Sequence, residues 1–371
     1  MSYSLATLWY ERHRYLPGVL AVGFSALLIA LQCGLLLGLF SITSIPVDHT
    51  RADIWVGAPE VLSVDLGRPV PESYLMRVAG QPDVLAAEIY LQGFAYWGKP
   101  NGGSELCVVI GSRLEENSMG AVRELTPELR ARLTEPGAII IDESDKDRLG
   151  IRGIGDVAEI TGQRVRVVGM VKGLRSLAGP YVFASLSTAR PLLRLFADQT
   201  AYVLARCKRP AEAPGIVARL RNYPNMSAFT SQEFSLRTRM HWLTKTKAGI
   251  ALGLAAALGL LVGAIVTSQT LYAATAASIR EYAVLQALGI PRWRMAMSVL
   301  AQSFWVGVIG IGVATPVVIT LNEAANIVSA PLQLPSWLLA SAVAVTMTMA
   351  LLAGLAALRS LRLVEPATLL R

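Results

Sequence analysis

Histidine and cysteine are scarce in this chain, three of each among 371 residues. Cys33, Cys107 and Cys207 form no CxxC pair and no metal-ligand spacing. Cys33 lies in an apolar run, so at most one disulfide, Cys107–Cys207, is possible, and both are expected to be free thiols. His49 and His241 stand far apart, and no serine or cysteine nucleophile sits in a recognisable motif, which argues against a hydrolase. The phosphate-binding pattern GxxxxGK[ST] is missing. The one Gly-Lys pair, Gly98–Lys99, runs into Pro100, so the chain is not expected to hydrolyse ATP itself. Charge is sparse too. Only 16% of residues are Asp, Glu, Lys or Arg against 53% hydrophobic, too apolar for a soluble protein of this size.

Long uncharged runs are what the chain has instead: Tyr15–Val47, Ala248–Ile279, Ala296–Asn322 and Ala324–Leu358. Each holds the ~20 apolar residues of a membrane span. Pro331 and Pro335 place the start of the last helix near Ser336. The first run exceeds a signal-peptide core and lacks a clear cleavage site. The net charge of +8 follows the spans rather than a nucleic-acid surface. Arg12 and Arg14, then Arg280, Arg292 and Arg294, then Arg359, Arg362 and Arg371 fall on one side, while the connection from Glu323 to Pro335 has neither Lys nor Arg. Both termini are therefore expected in the cytoplasm. No Asp, Glu, Lys, Arg or His lies mid-span, as ion-coupled transport would require.

The intervening segment, Asp48–Lys247, has the length of one domain. Strands are predicted at Asp53–Val56, Leu85–Trp97, Glu105–Ile110, Ala138–Ile141, Val157–Ile160, Val165–Val171 and Tyr202–Ala205. Helices are predicted at Glu72–Ala79, Pro127–Leu133, Thr188–Phe196, Ala213–Asn222 and Phe234–Lys247, the last leading straight into the second span. This mixed order predicts an α+β domain with helices on one sheet face. The acidic run Asp142–Asp147 reads as a solvated strand-to-helix turn with Ser144 as helix cap, since no His or Cys lies near and EF-hand spacing is absent.

Two features of the spans stand out. Gly249, Gly253, Gly259 and Gly263, with Ala256, fall within about a third of the second helix's circumference and call for close packing. The partner is either another span or a second copy of the chain; Gly34 and Gly38 on the first span would suit the same seam. The short charged stretch Ser278–Met295 carries Arg280 and Glu281, then an apolar run through Tyr282, Leu285 and Leu288. Gly289 and Pro291 then stop the helix. On its residues alone it is either a positively flanked connector or a helix that passes force.

REYAVLQALGIPRWRM in that stretch resembles the cytoplasmic loop of FtsX/MacB-type ABC-transporter permeases, with the closest likeness to DevC-type permeases of the heterocyst glycolipid exporter class. RADIWVGAP (Arg51–Pro59), IYLQGFAYW (Ile89–Trp97), LCVVIGS (Leu106–Ser112), TSQEF (Thr230–Phe234) and LRLVEPATLLR (Leu361–Arg371) extend the resemblance over nearly the whole chain. It implies an α-helical membrane protein with four transmembrane helices plus an α+β extracytoplasmic domain between helices 1 and 2. That domain would hold a ferredoxin-like lobe and a small β-rich lobe around Ala138–Val171.

The expected organisation is an amphipathic segment over 1–16 and spans over 17–45, 248–277, 296–322 and 336–358. A periplasmic domain fills 46–247, a coupling loop 278–295, a short outer loop 323–335 and a cytoplasmic tail 359–371. The resemblance implies a permease in the bacterial inner membrane, without catalytic, metal or cofactor residues of its own, ATP and Mg being held by a separate ABC ATPase. That ATPase would dock on Arg280, Glu281, Tyr282, Leu285, Leu288 and Gly289. A second copy, a periplasmic membrane-fusion adaptor, an outer-membrane channel and membrane lipids are further implied partners, and nucleic acid is not. An amphiphilic substrate is expected, its identity unreadable. The same fold would serve lipoprotein release or control of a cell-wall hydrolase. A membrane-anchored ligand sensor fits less well, because no cytoplasmic piece is long enough for an output domain.

Overall fold

The computed structural model describes residues 10, 12–100, 102–277, 284, 291–327 and 332–362. They form two units, Leu39–Gly249 and a second made of Met1–Gly38 with Ile250–Arg371. The first apolar run is helix α1 (Arg12–Thr43), which Ser44 separates from the single turn α2 (Ile45–Asp48). Then follow β1 (Ile54–Gly57), β2 (Val70–Pro71), α3 (Tyr74–Ala79), the fifteen-residue β3 (Val84–Gly98), β4 (Ser104–Ser112), α4 (Pro127–Arg132) and β5 (Ala138–Asp142). After these come α5 (Lys146–Leu149), β6 (Val157–Ile160), β7 (Gln163–Val171), β8 (Tyr181–Ser185), α6 (Leu186–Leu192), β9 (Gln199–Thr200), β10 (Tyr202–Cys207), α7 (Ala213–Leu220), β11 (Ser227–Thr230) and α8 (Ser231–Lys245).

Strand β3 belongs to two lobes. Its first half pairs with β10, Tyr90 opposite Tyr202. With β1 and β11 this makes an antiparallel sheet ordered β11-β1-β10-β3, carrying α3 and α7. The chain order β1-α3-β3-β10-α7-β11 in that arrangement is the ferredoxin-like pattern. One face packs Ile54, Val56, Val203 and Ala205 against Tyr74, Val78, Ile216, Val217 and Leu220 of the helices.

From Leu91 onward β3 pairs instead with β4, Leu91 opposite Gly111, and its end pairs with β6. The strands β3-β4-β8-β5-β7-β6 then close on β3 again, with parallel pairs β4–β8 and β5–β7. Alternation divides the side chains: Trp97, Cys107, Val109, Ile139, Ile141, Val167 and Val182 fill this small closed lobe. Their neighbours Val108, Ile110, Ile140 and Phe183 join the main core with Trp55, Tyr90, Tyr202 and Phe234. The β-rich lobe is thus larger than Ala138–Val171, running from the middle of β3 to β8. Two strands of the domain are invisible in sequence, β8 because it is buried on both faces and β11 of the other lobe because four residues show no clear alternation.

The acidic run is another correction. Asp142 and Asp145 are buried, not solvated. Asp142, not Ser144, caps the turn: Oδ1 accepts from the Ser144 amide at 2.9 Å, and Oδ2 accepts from the Leu174 amide at 2.7 Å. Burial pushes the Asp145 carboxyl up to about 6, with the Asp142 charge adding to it.

In the other unit, α9 (Lys247–Ala277), α10 (Arg292–Ile327) and α11 (Ser336–Arg362) join α1 as helices long and apolar enough to cross a membrane. Lipid offers no partners to a bare backbone, so continuous helices keep every mid-span amide satisfied. Helix α1 touches each of the other three, and α10 packs along α11. Gly23 and Gly310 bring α1 and α10 into backbone contact, and Tyr15 donates to Gln302 at 3.2 Å. Val19, Val22, Val306, Ala350 and Ala353 close one end, and Ile29, Ala30, Val318 and Ala342 another.

Candidate functional site

Helix α8 was predicted to lead straight into the second span; instead the chain breaks at Thr246, whose backbone is extended at φ −94°, ψ 145°. The break is a cap. Thr246 Oγ1 accepts from the Gly249 amide at 3.0 Å, closing the first turn of α9. A Cβ at Gly249 would collide with the Trp242 carbonyl and lie 2.8 Å from Leu243 Cα. Gly249 therefore serves this junction, where α8 meets the start of α9, and its requirement is local.

Upstream of the break α8 is fastened along its length. Thr230 caps it, accepting from the Glu233 amide at 3.2 Å, and Arg221 pairs with Glu233 at 2.6 Å. Phe234 is fully buried, stacked on Phe229 with ring centres 5.1 Å apart and edge-on to Tyr202. Three bonds tie the middle of α8 to residues 61–65. Arg237 Nε donates to the Val61 carbonyl at 2.9 Å, the Val64 amide donates to Thr238 Oγ1 at 3.1 Å, and Trp242 Nε1 donates to Asp65 Oδ2 at 3.0 Å. Arg239 donates to Asp48 Oδ2 at 2.6 Å and to Ser44 Oγ at 2.8 Å, so the helix also grips the segment that follows α1. Burial raises the Asp65 carboxyl to about 6, against the lowering effect of Trp242 and Ser63. Its Oδ1 has no partner among the described residues. The sequence pattern marked α8 as a helix; nothing in it marked Ser44, Asp48, Val61 and Asp65 as its partners, since those contacts span 174–195 residues.

Of the glycine stripe, Gly259 and Gly263 lie against α1 of the same chain. A Cβ on Gly259 would overlap the Gln32 side chain, and one on Gly263 would lie 3.2 Å from Ser25 Cβ. Ser25 Oγ donates to the Gly263 carbonyl at 3.0 Å and shares a hydrogen bond of 3.0 Å with Thr267 Oγ1. Ala256 is buried on the same side. Gly253 is half-exposed. Gly34 lies under the connection before α11, its Cβ position 2.6 Å from Leu334. The six coupling residues Arg280, Glu281, Tyr282, Leu285, Leu288 and Gly289 lie outside the described residues.

Among the described residues no three His, Cys, Asp or Glu side chains gather as a metal site. Burial pushes the Cys107 thiol up to about 12 and the Cys207 thiol up to about 11, far from reactive thiolates. Helix α8 is thus tied by side-chain bonds to residues 44–65 of its domain, and the chain passes from it into α9 through the cap at Thr246.

The model of the MacB-like periplasmic core domain matches residues 19–223, and that of the FtsX-like permease C-terminal region matches residues 253–366. No curated protein matches the chain. Among solved structures, the periplasmic region of MacB from Actinobacillus actinomycetemcomitans is 12% identical at a TM-score of 0.35, over 54% of this chain and 97% of that one. The extracellular domain of the noncanonic ABC-type transporter YknZ from Gram-positive bacteria is 13% identical at a TM-score of 0.33, over 48% of this chain and 98% of that one.

Proposed function

The chain belongs to the MacB-like periplasmic core domain family and continues into an FtsX-like permease region, and from that premise we propose that it is the permease subunit of an ATP-driven exporter of the DevC type. The observation that carries this reading is the order of the two matched regions along one chain that has four membrane-length helices and no phosphate-binding loop. ATP is then hydrolysed by a separate ABC ATPase chain, with its own Mg, docked on the cytoplasmic stretch between the second and third spans. The permease acts as a homodimer in the inner membrane with both termini in the cytoplasm. A periplasmic membrane-fusion adaptor and an outer-membrane channel complete the path for an amphiphilic, lipid-like substrate.

Transmission is the step this chain performs. Motion enters at Arg280–Gly289, where the apolar side of Tyr282, Leu285 and Leu288 fits a groove of the ATPase and Arg280 or Glu281 sets its register. It leaves through α8, whose bonds to residues 61–65 and to Asp48 hand a displacement of the second span to the domain. What supports this route is the set of bonds that fasten α8 to its domain and the continuity of the chain from α8 through the Thr246 cap into α9.

The experiment is reconstitution of the full chain with its ATPase. Leu285→Asp places an unpaired charge in the proposed apolar contact. Co-purification of the ATPase and stimulation of its hydrolysis by the permease should fall by at least about tenfold, the worth of roughly 1.4 kcal/mol, with expression and the folded domain unchanged. Wild-type coupling in this variant would make the stretch a plain connector.

A further inference from the structure

Strand β3 has a gap along one edge. β10 lies on that edge up to Tyr90, and β6 takes it up again at Trp97. Between them, from Leu91 to Tyr96, β3 pairs with β4 on its other edge and has no paired strand on this one. Bonds around the gap fix which groups face it. The Lys99 amide donates to the Gly103 carbonyl at 3.0 Å across the β3–β4 turn, so odd-numbered residues bond toward β4. The Thr161 amide donates to the Tyr96 carbonyl at 3.0 Å from the opposite side. Backbone groups alternate along an antiparallel strand, so the amides and carbonyls of Gln92 and Phe94 point into the gap. Open edges are ordinarily blunted by charge, proline or a bulge. Leu91–Tyr96 reads LQGFAY, without charge or proline, and its register against β4 is unbroken.

A groove of about 470 Å³ runs along this gap. Ala95 from one face of β3 and Phe94 and Tyr96 from the other all line it, so it follows the edge of the strand rather than lying over a face. Phe94 is 42% and Tyr96 66% exposed, rings left in water where the side chains of a neighbouring strand would cover them. The flanks are Leu193 and Arg194, after α6, and the β6–β7 turn at Thr161 and Gly162. An opposite charge stands toward each end. Leu193 lies 3.0 Å from the Cβ position of Gly93, which sets Arg194 near the start of the gap, and Glu159 is in register with Gly98 just beyond its end. Both side chains belong to exposed residues, and neither has an ion-pair partner among the described residues.

We propose that this edge takes up an extended peptide segment of a partner protein as an added antiparallel strand, its basic N-terminal end toward Glu159 and its acidic C-terminal end toward Arg194. The antiparallel sense follows from β10 and β6, which both run antiparallel to β3 on this edge. Six residues of open strand, about 20 Å, give the length. Main-chain bonds to Gln92 and Phe94 hold such a strand, and its alternate side chains meet Phe94 and Tyr96. A second copy of the chain fits less well, because it would bring its own β6–β7 turn and its own Leu193 and Arg194 to the same flanks. The proposal does not rest on ATPase coupling or on export.

The test is titration of the full chain in detergent with a labelled, capped six-residue peptide, lysine first, glutamate last and valine and threonine alternating between. Binding is followed by fluorescence anisotropy and by amide hydrogen exchange. Wild type should bind it and prefer it to the peptide with the two charges exchanged, and saturation should slow exchange of the Phe94 amide by about tenfold or more. N-methylation of every second peptide amide should abolish binding in one phase and spare it in the other, since only one set of amides faces β3. The double variant Glu159→Arg with Arg194→Glu, at two exposed positions, should reverse the preference between the two peptides by about fivefold, the scale of exposed ion pairs, with thermal unfolding unchanged. Absence of binding to both peptides, an unaltered Phe94 amide, or an unreversed preference would overturn the proposal. A dimer that Phe94→Lys dissolves, with no peptide bound, would assign the edge to a second copy and overturn it as well.

Discussion

Helices α8 and α9 follow one another in the chain and are held by opposite means. Helix α8 is polar, and directed bonds fix it: four of its side chains, from Arg237 to Trp242, reach residues 44–65 through hydrogen bonds of 2.6–3.1 Å. Helix α9 is apolar around its circumference, and absence of side chains fixes it: Gly259 and Gly263 admit Gln32 and Ser25 of α1. The contrast follows from the solvent. In water an aromatic such as Phe234 gains by leaving the surface, and polar groups then set the register. Between helices in lipid, leaving the surface gains nothing, because the tails are as apolar as leucine, and close backbone approach decides instead.

The largest effect should come from removing the buried aromatic. Phe234→Ala would take away a ring that touches Trp55, Tyr202 and Phe229. It should destabilise the αβ domain by about 3–5 kcal/mol, as large-to-small changes of Phe do. The measurement is the domain's unfolding transition by near-UV circular dichroism in detergent; a change under about 1 kcal/mol would mean α8 is held by its polar bonds alone. Next in size is Gly259→Leu, which forces a side chain into the volume of Gln32 and should cost about 1–3 kcal/mol by overpacking. Unlike Phe234→Ala, it should lower the resistance of the spans to dodecyl sulfate and leave the domain transition in place. If it does neither, this stripe packs less tightly than its glycines allow.

The smallest effect concerns pH and sharpens the polar half of the contrast. The Asp65 carboxyl has an ordinary value of 3.8 and is raised to about 6 in the folded domain. The folded state therefore binds this proton more tightly than the unfolded state. Its contribution to stability is fully present below about 4 and is lost as pH rises through about 6. Asp145 is raised to about 6 as well and adds a second slope of the same sign. Thermal unfolding followed from pH 7 downward should show this gain, and Asp65→Asn should flatten the part due to Asp65 with little change of stability below about pH 4. An unchanged slope in Asp65→Asn would remove Asp65 from the account.

Much of the architecture was legible because it rests on local pattern. Each of the four apolar runs contains a membrane-length helix, because twenty uncharged residues have few other ways to satisfy their backbone. β1, β3, β4, β5, β6, β7 and β10 were visible as β-rich runs or as alternation. The strand β8 was not, since a strand buried on both faces shows no period. Nor did the acidic run disclose its burial: Asp142 looks solvated until the amide of Leu174, 32 residues away, is seen to donate to it.

Hydropathy and residues adjacent in the chain were enough for the four spans, the class of the intervening domain and the lack of any phosphate-binding loop. Folding in three dimensions was needed to show that β3 is shared by two lobes, that Gly259 and Gly263 meet the first span of their own chain, and that α8 grips Asp48 and Asp65. Those are pairings between segments up to about 240 residues apart, and a spacing rule that reads one helix or one strand cannot name the surface the element is pressed against.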